Sequence, residues 1–366
     1  MKGFQLVPLT SISAAFVLAG CQTSTSPPGL PLPPEIKVHH GEHFGSIEVL
    51  DPKLNTLIAP GASLEKLASG FDWSEGPIWI RPGRPPVSTG PASWLKGGYL
   101  LFSDVPSNTV YRWSAQEGVS IFLKPSGYTG SVPRAGEPGS NGLTTDSEGR
   151  LVLCEHGDRR VGRVEKDGRH VTVADRFKGK RFNSPNDLVF KSNGDLYFTD
   201  PPYGLVGNVD DPNKEIAFQG VFRMKPGGEV TVLTEQISRP NGIAFSPDEK
   251  TLYVASSDPK YAVWMAYDVK SDGTLANGRV FFDATSLVSD ANKGLPDGMK
   301  VDAQGNLWAT GPGGVFIFSP AGKHLGTIHT GEATANCAWG EDGSTLYITA
   351  DMYLCRLRTK VKGAGW

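Results

Sequence analysis

Several chemistries are missing from this sequence. No CxxC or HExxH motif occurs, so the usual zinc signatures are absent. No GxSxG elbow marks a serine hydrolase, and no glycine-rich phosphate loop opens a helix. Cationic excess is lacking as well: 36 Lys and Arg against 38 Asp and Glu give a formal net charge of −2. That excludes a nucleic-acid surface, and no nucleic-acid partner is expected. Helical periods of useful length are absent between the apolar runs, which removes a doubly wound α/β fold. The longest apolar stretch, at the N-terminus, is too short and too interrupted by Pro8, Thr10, Ser11 and Ser13 for a transmembrane helix.

Glycine and proline, in contrast, are abundant: Gly 45 and Pro 28 make up about a fifth of the 366 residues. Such dense punctuation favours many short strands. Only four cysteines are present. Cys21 closes Leu18-Ala19-Gly20-Cys21 after an apolar segment, which resembles a bacterial lipoprotein signal cleaved before a lipid-modified thiol. Residues 1–20 are therefore read as a lipoprotein signal peptide. Residues 21–39, beginning CQTSTSPPGLPLPP, are read as a lipid-anchored Ser/Thr/Pro-rich tether, and 40–366 as one soluble domain. The expected location is periplasmic, with contact to a membrane, the outer one, only through the anchor. Cys154, Cys337 and Cys355 sit in apolar runs and read as buried free thiols.

The chain repeats itself. Six openings, SEGPIWI, SNGLTTD, SPNDLVF, RPNGIAF, LPDGMKV and TANCAWG, each lead into an apolar strand. Each is followed by a second strand: YLLFSD, RLVLCE, DLYFTD, TLYVAS, NLWATG and TLYITA. Third and fourth strands follow, and the unit recurs every roughly forty to sixty-five residues. This pattern predicts an all-β, six-bladed β-propeller with four-stranded blades. The last unit lacks its fourth strand, and SLEKLAS (63–69) has the right character to supply it from the N-terminal side. Residues 125–139, 201–219 and 284–296 are insertions predicted to crowd one end of the ring, where long loops carry function.

Each opening carries a polar head: Glu75, Asn141, Asn186, Asn241, Asp297 and Asn336. Asn-Gly and Asp-Gly are ordinary turn dipeptides taken singly. Six at one structural position, two of them acidic and none cationic, converge on the axis and call for a compensating cation. One divalent metal on all-oxygen ligands is expected, Ca²⁺ first, with Mg²⁺, Mn²⁺ and Zn²⁺ as alternatives. His156, in LCEHGD, is a candidate general base at the same end. Tyr128, Arg134 and Tyr203, on the inserted loops, are candidates to face a substrate.

SEGPIW, RFNSPNDLVF, LYFTDPPYG, RPNGIAFSPDEKTLYV, GLPDGMKVDAQGNLWATGPGG and NCAWGEDGSTLYIT together resemble the gluconolactonase, senescence-marker-protein (regucalcin) and luciferin-regenerating-enzyme family, its bacterial and fungal gluconolactonase branch in particular. The resemblance spans roughly residues 70–358. It implies a six-bladed propeller with an axial divalent metal held by Glu75, Asn186, Asn241 and Asp297, with Asp297 also the general base. Asn141 and Asn336 match no ligand and are assigned to water or substrate. Where the regucalcin branch has a substrate-gripping Arg, this sequence has Ser184, with Arg181 three residues earlier as its substitute. The implied activity is gluconolactonase-type hydrolysis of a sugar lactone, D-glucono-1,5-lactone to D-gluconate. A phosphotriesterase-like or other-lactone hydrolase on the same site, or a Ca²⁺-stabilised binding module, are the alternatives.

Overall fold

A computed structural model describes residues 31–88 and 97–366. The signal segment and Cys21 lie outside the described residues. The regular structure of the described chain is almost all strand, with one helical turn at Leu54–Leu57 and two short 3-10 turns.

Six antiparallel sheets form the blades. The first runs Ser74–Ile80, Tyr99–Asp104, Thr109–Ser114, Gly118–Leu123, and the next four repeat this meander. The first strands of neighbouring blades pack on one another around the axis: Ser74–Ile80 lies against both Ser140–Thr145 and Thr334–Gly340. The second strands are buried along nearly their whole length, as in Leu196–Asp200 and Leu307–Gly311. Their near-continuous apolar sequences follow from this, because each is covered on both faces by adjacent blades.

The core is accordingly a set of slabs between blades. Trp264, Met299 and Leu307 fill the gap between the fourth and fifth. Phe182, Phe198 and Phe222 pack edge-on and stacked between the second and third. Cys154, Cys337 and Cys355 are free and buried in these slabs.

The N-terminal side closes the ring. Leu64–Ser69 pairs antiparallel with Tyr353–Arg358, with Arg356 opposite Glu65 and an ion pair of 2.7 Å between them. The structure adds something the repeat did not predict. Lys37–Phe44 extends this sixth blade to five strands, and Ser46–Val49 adds a fifth strand to the fifth blade. One ribbon thus straps two blades together. Gly45 lets it pass between them: φ is +70°, and a Cβ there would lie 2.4 Å from the His329 carbonyl oxygen. Leu32 and Ile36 pack against the core, so ordered chain extends into the stretch read as tether. No described helix is long and apolar enough to cross a membrane.

Candidate active site

At one end of the axis lies a cavity of about 890 Å³. Five of the six heads line it: Glu75, Asn141, Asn186, Asn241 and Asp297. The three predicted insertions all reach it, through Glu137, Tyr203 and the segment Val288–Leu295.

The heads are aimed inward by a recurring irregularity. Register shifts fall between Glu75 and Ile78, Ser140 and Leu143, Pro240 and Ile243, and Thr334 and Asn336. Such bulges bend a strand and re-aim its side chains. In the third and fifth blades the head instead lies just ahead of a short strand, Leu188–Phe190 or Met299–Val301. The glycine after a head serves close approach to the next blade. A Cβ on Gly242 would lie 2.1 Å from the Asp297 carbonyl oxygen of the next blade.

Buried hydroxyls on the second strands hold the backbone of the heads, two of them across to the next blade and that of Thr349 within its own. Ser103 donates to Asn141 O at 2.9 Å, Thr199 to Asn241 O at 2.7 Å, and Thr349 to Asn336 O at 3.2 Å. Asp200 accepts the amides of Asn183 and Ser184, both at 2.8 Å, and so fixes the loop that carries Asn186. Burial pushes its carboxyl up to about 7.

The acidic groups are strongly perturbed. Burial raises Glu75 to about 8, with Asp187 and Glu137 adding to the rise and the Gly76 amide opposing it. Asp297 is raised well above its usual range by burial, then by Glu75, Asp187 and Glu137. Asp187 is a third buried carboxylate that the sequence pattern did not single out. Burial raises it, and Lys300 is the main opposing charge.

The amide heads bear on whether a hard cation fits here. Ser257 gives its proton to Pro296 O at 2.7 Å and accepts Asn241 Nδ2 at 2.7 Å, which turns Asn241 Oδ1 away from Ser257. Asn186 sets Nδ2 against His156 Nε2 at 3.4 Å, and its Oδ1 is buried with no hydrogen bond. Asn141 Oδ1 is orphaned in the same way. Orphaned buried acceptors beside two carboxylates fit a divalent ion with oxygen ligands. Among the described residues no group of three or more His, Cys, Asp and Glu side chains forms such a site by itself, so an ion here would need the amides as well.

Other predicted residues fall elsewhere. Asn336 does not line the cavity. It lies beneath Glu75, donating to Glu75 Oε2 at 3.2 Å and accepting the Cys337 amide at 2.9 Å and Lys300 Nζ at 3.4 Å. Its amide is fully engaged, which leaves nothing for a substrate. His156 is fully buried behind Asn186, with Nδ1 3.4 Å from Glu137 Oε2; it backs a ligand candidate and does not face the cavity. Tyr203 lines the cavity. Tyr128 and Arg181 instead line a separate cavity of about 790 Å³ with Arg134, where Arg181 donates to Asp158 O. Ser184 is buried and donates to Pro201 O at 2.6 Å, so it supplies no substrate contact. Glu137 and Arg239 line the main cavity without having been anticipated. Glu137 sits in an insertion already marked as functional, but nothing in its neighbours distinguishes it from a surface residue.

Residues 73–351 match the family described as the SMP-30/Gluconolactonase/LRE-like region. The chain belongs to this family. A gluconolactonase from Zymomonas mobilis is 40% identical over 330 residues, 88% of this chain and 89% of that protein. A solved gluconolactonase from Xanthomonas campestris superimposes with a TM-score of 0.68 at 30% identity, covering 92% of this chain and 99% of that one. A regucalcin from Agrobacterium tumefaciens, a calcium-binding protein, shares the fold with a TM-score of 0.59 at 17% identity, over 88% and 96% of the two chains. With the acidic axis and its cavity, these similarities identify an enzyme of the gluconolactonase type.

Proposed function

We propose that this protein is a metal-dependent lactonase that opens sugar lactones, with D-glucono-1,5-lactone to D-gluconate as its reaction. The observation that carries this is the floor of the cavity, where two raised carboxyls, Glu75 and Asp297, meet the orphaned amide oxygens. Glu75, Asn186, Asn241 and Asp297 would hold the ion. Charge supports a divalent one: Glu75, Asp187 and Asp297 carry three negative charges when ionised, and Lys300 beside Asp187 returns one. The oxygen set favours Ca²⁺, consistent with the calcium-binding relative.

Such an ion supplies a Lewis acid for the carbonyl and lowers the pKa of bound water. Asp297 takes a proton as water adds to the lactone carbonyl. That proton goes to the ring oxygen as the C–O bond breaks, leaving a hydroxy acid that ionises. Glu137 stands close enough to raise the proton affinity of Asp297, which makes it a better base. His156 holds the Asn186 amide in place. The test follows proton release from D-glucono-1,5-lactone above the spontaneous rate. Chelation should abolish the enzymatic rate and Ca²⁺ should restore it, while Asp297→Ala should lower kcat by about 10²–10⁴. Activity that survives both treatments would sink the mechanism.

A further inference from the structure

The main cavity contains a guanidinium with no hydrogen-bond or ion-pair partner among the described residues. Arg239 lines the cavity beside Asn241. Its backbone is firmly placed: it precedes Pro240, which favours an extended conformation, and its carbonyl accepts the Ser257 amide at 3.0 Å. Its side chain is half-buried and makes no hydrogen bond or ion pair among the described residues. Tyr203 and Asp258 are near enough to feel its charge. Asp258 is already engaged by Ser238 at 2.7 Å and by the Lys260 amide. The other cation on the cavity wall, Lys293, is paired with Glu332 at 2.7 Å. The buried Tyr203 hydroxyl, beside Ser257, likewise has no completed hydrogen bond among the described residues.

A partly desolvated guanidinium ordinarily finds an oxygen partner, and its planar fork suits two adjacent oxygens. We infer that Arg239 is a specificity-determining residue that donates to vicinal hydroxyls of the sugar lactone, on the part of the ring away from the carbonyl, with Tyr203 as its neighbour in that subsite. This rests on the lactonase reading and narrows it to polyhydroxylated lactones. A plain cyclic ester of the same ring size offers the carbonyl but nothing for Arg239 to hold.

The test compares kcat/KM for D-glucono-1,5-lactone and for unsubstituted δ-valerolactone in the metal-loaded wild type, Arg239→Met and Arg239→Lys. In Arg239→Met the loss on the sugar lactone should exceed that on δ-valerolactone by about ten- to a hundredfold, the range of a charge-assisted hydrogen bond. The loss should appear mainly in KM, and Arg239→Lys should recover part of it. Calorimetric binding of gluconate should weaken in parallel. Equal losses on both lactones, or no loss on either, would overturn the assignment. A wild-type protein that turns over neither lactone would overturn the lactonase reading instead, and this inference with it.

Discussion

At the scale of single residues, the hydrogen-bond partners within reach, rather than residue type, decide what each polar head does. Asn141 and Asn336 read alike in the sequence, yet one offers an orphaned oxygen and the other has none. Asn336→Leu should therefore act on the ion and not on the lactone. It should weaken divalent-ion affinity by about 10–100-fold, as loss of a group that orients a ligand does, with KM at saturating metal largely retained. A raised KM with intact metal affinity would restore Asn336 to substrate contact. The raised carboxyls set a pH dependence. In the unfolded chain they ionise near pH 4, whereas in the fold Asp200 holds its proton to about 7 and Glu75 to about 8. The folded state then binds more protons, so its stability is fully present below pH 4 and is lost as pH climbs through these values. Metal-free protein should accordingly melt at a lower temperature at pH 8.5 than at 5.5, and saturating Ca²⁺ should flatten the slope. A melting temperature of the metal-free protein that rises across this range would contradict the assignment.

At the scale of strands, the head-glycine pairs prove to be inter-blade joints. Gly242 does not occupy the left-handed region, so a turn role would make alanine inexpensive there. The contact with Asp297 O predicts instead that Gly242→Ala destabilises by about 1–3 kcal/mol. Thr199→Val, which leaves Asn241 O without its donor, should cost about 1 kcal/mol. Denaturant unfolding measures both, and a neutral Gly242→Ala would return the pair to turn chemistry. The same joints explain how much of the site was legible. The heads were visible because a six-fold repeat put them in register. The hydroxyls of Ser103, Thr199 and Thr349 that hold the heads stood in the quoted second strands, but a serine or threonine near a strand end carries no mark of which backbone it will meet.

At the scale of the whole molecule, closure is the main constraint. Each slab of core lies between two blades, so no blade buries its apolar faces alone. The sixth is completed by residues nearly three hundred positions away from its other strands. Deleting the chain through Ser69 exposes the edge at Tyr353–Arg358 and removes Leu64, Leu67 and Ala68 from the core. The truncated protein should lose its cooperative melt and aggregate through that edge. An unchanged melting transition would show that the closing strand is dispensable.

The sequence by itself determined the number of blades, the strand that closes the ring, the six heads and the end of the axis where the long insertions gather. These are legible because repetition and strand patterning are local properties that recur. Only the tertiary structure decided that Asp187 and Lys300 share the axis, that Glu137 and Arg239 face the cavity, that His156 stands behind Asn186, and that Tyr128 and Arg181 belong to another cavity. The physical reason is that insertions obey no repeat. The direction of a loop side chain, and the partner left for a buried amide, are set by contacts between blades far apart in the chain.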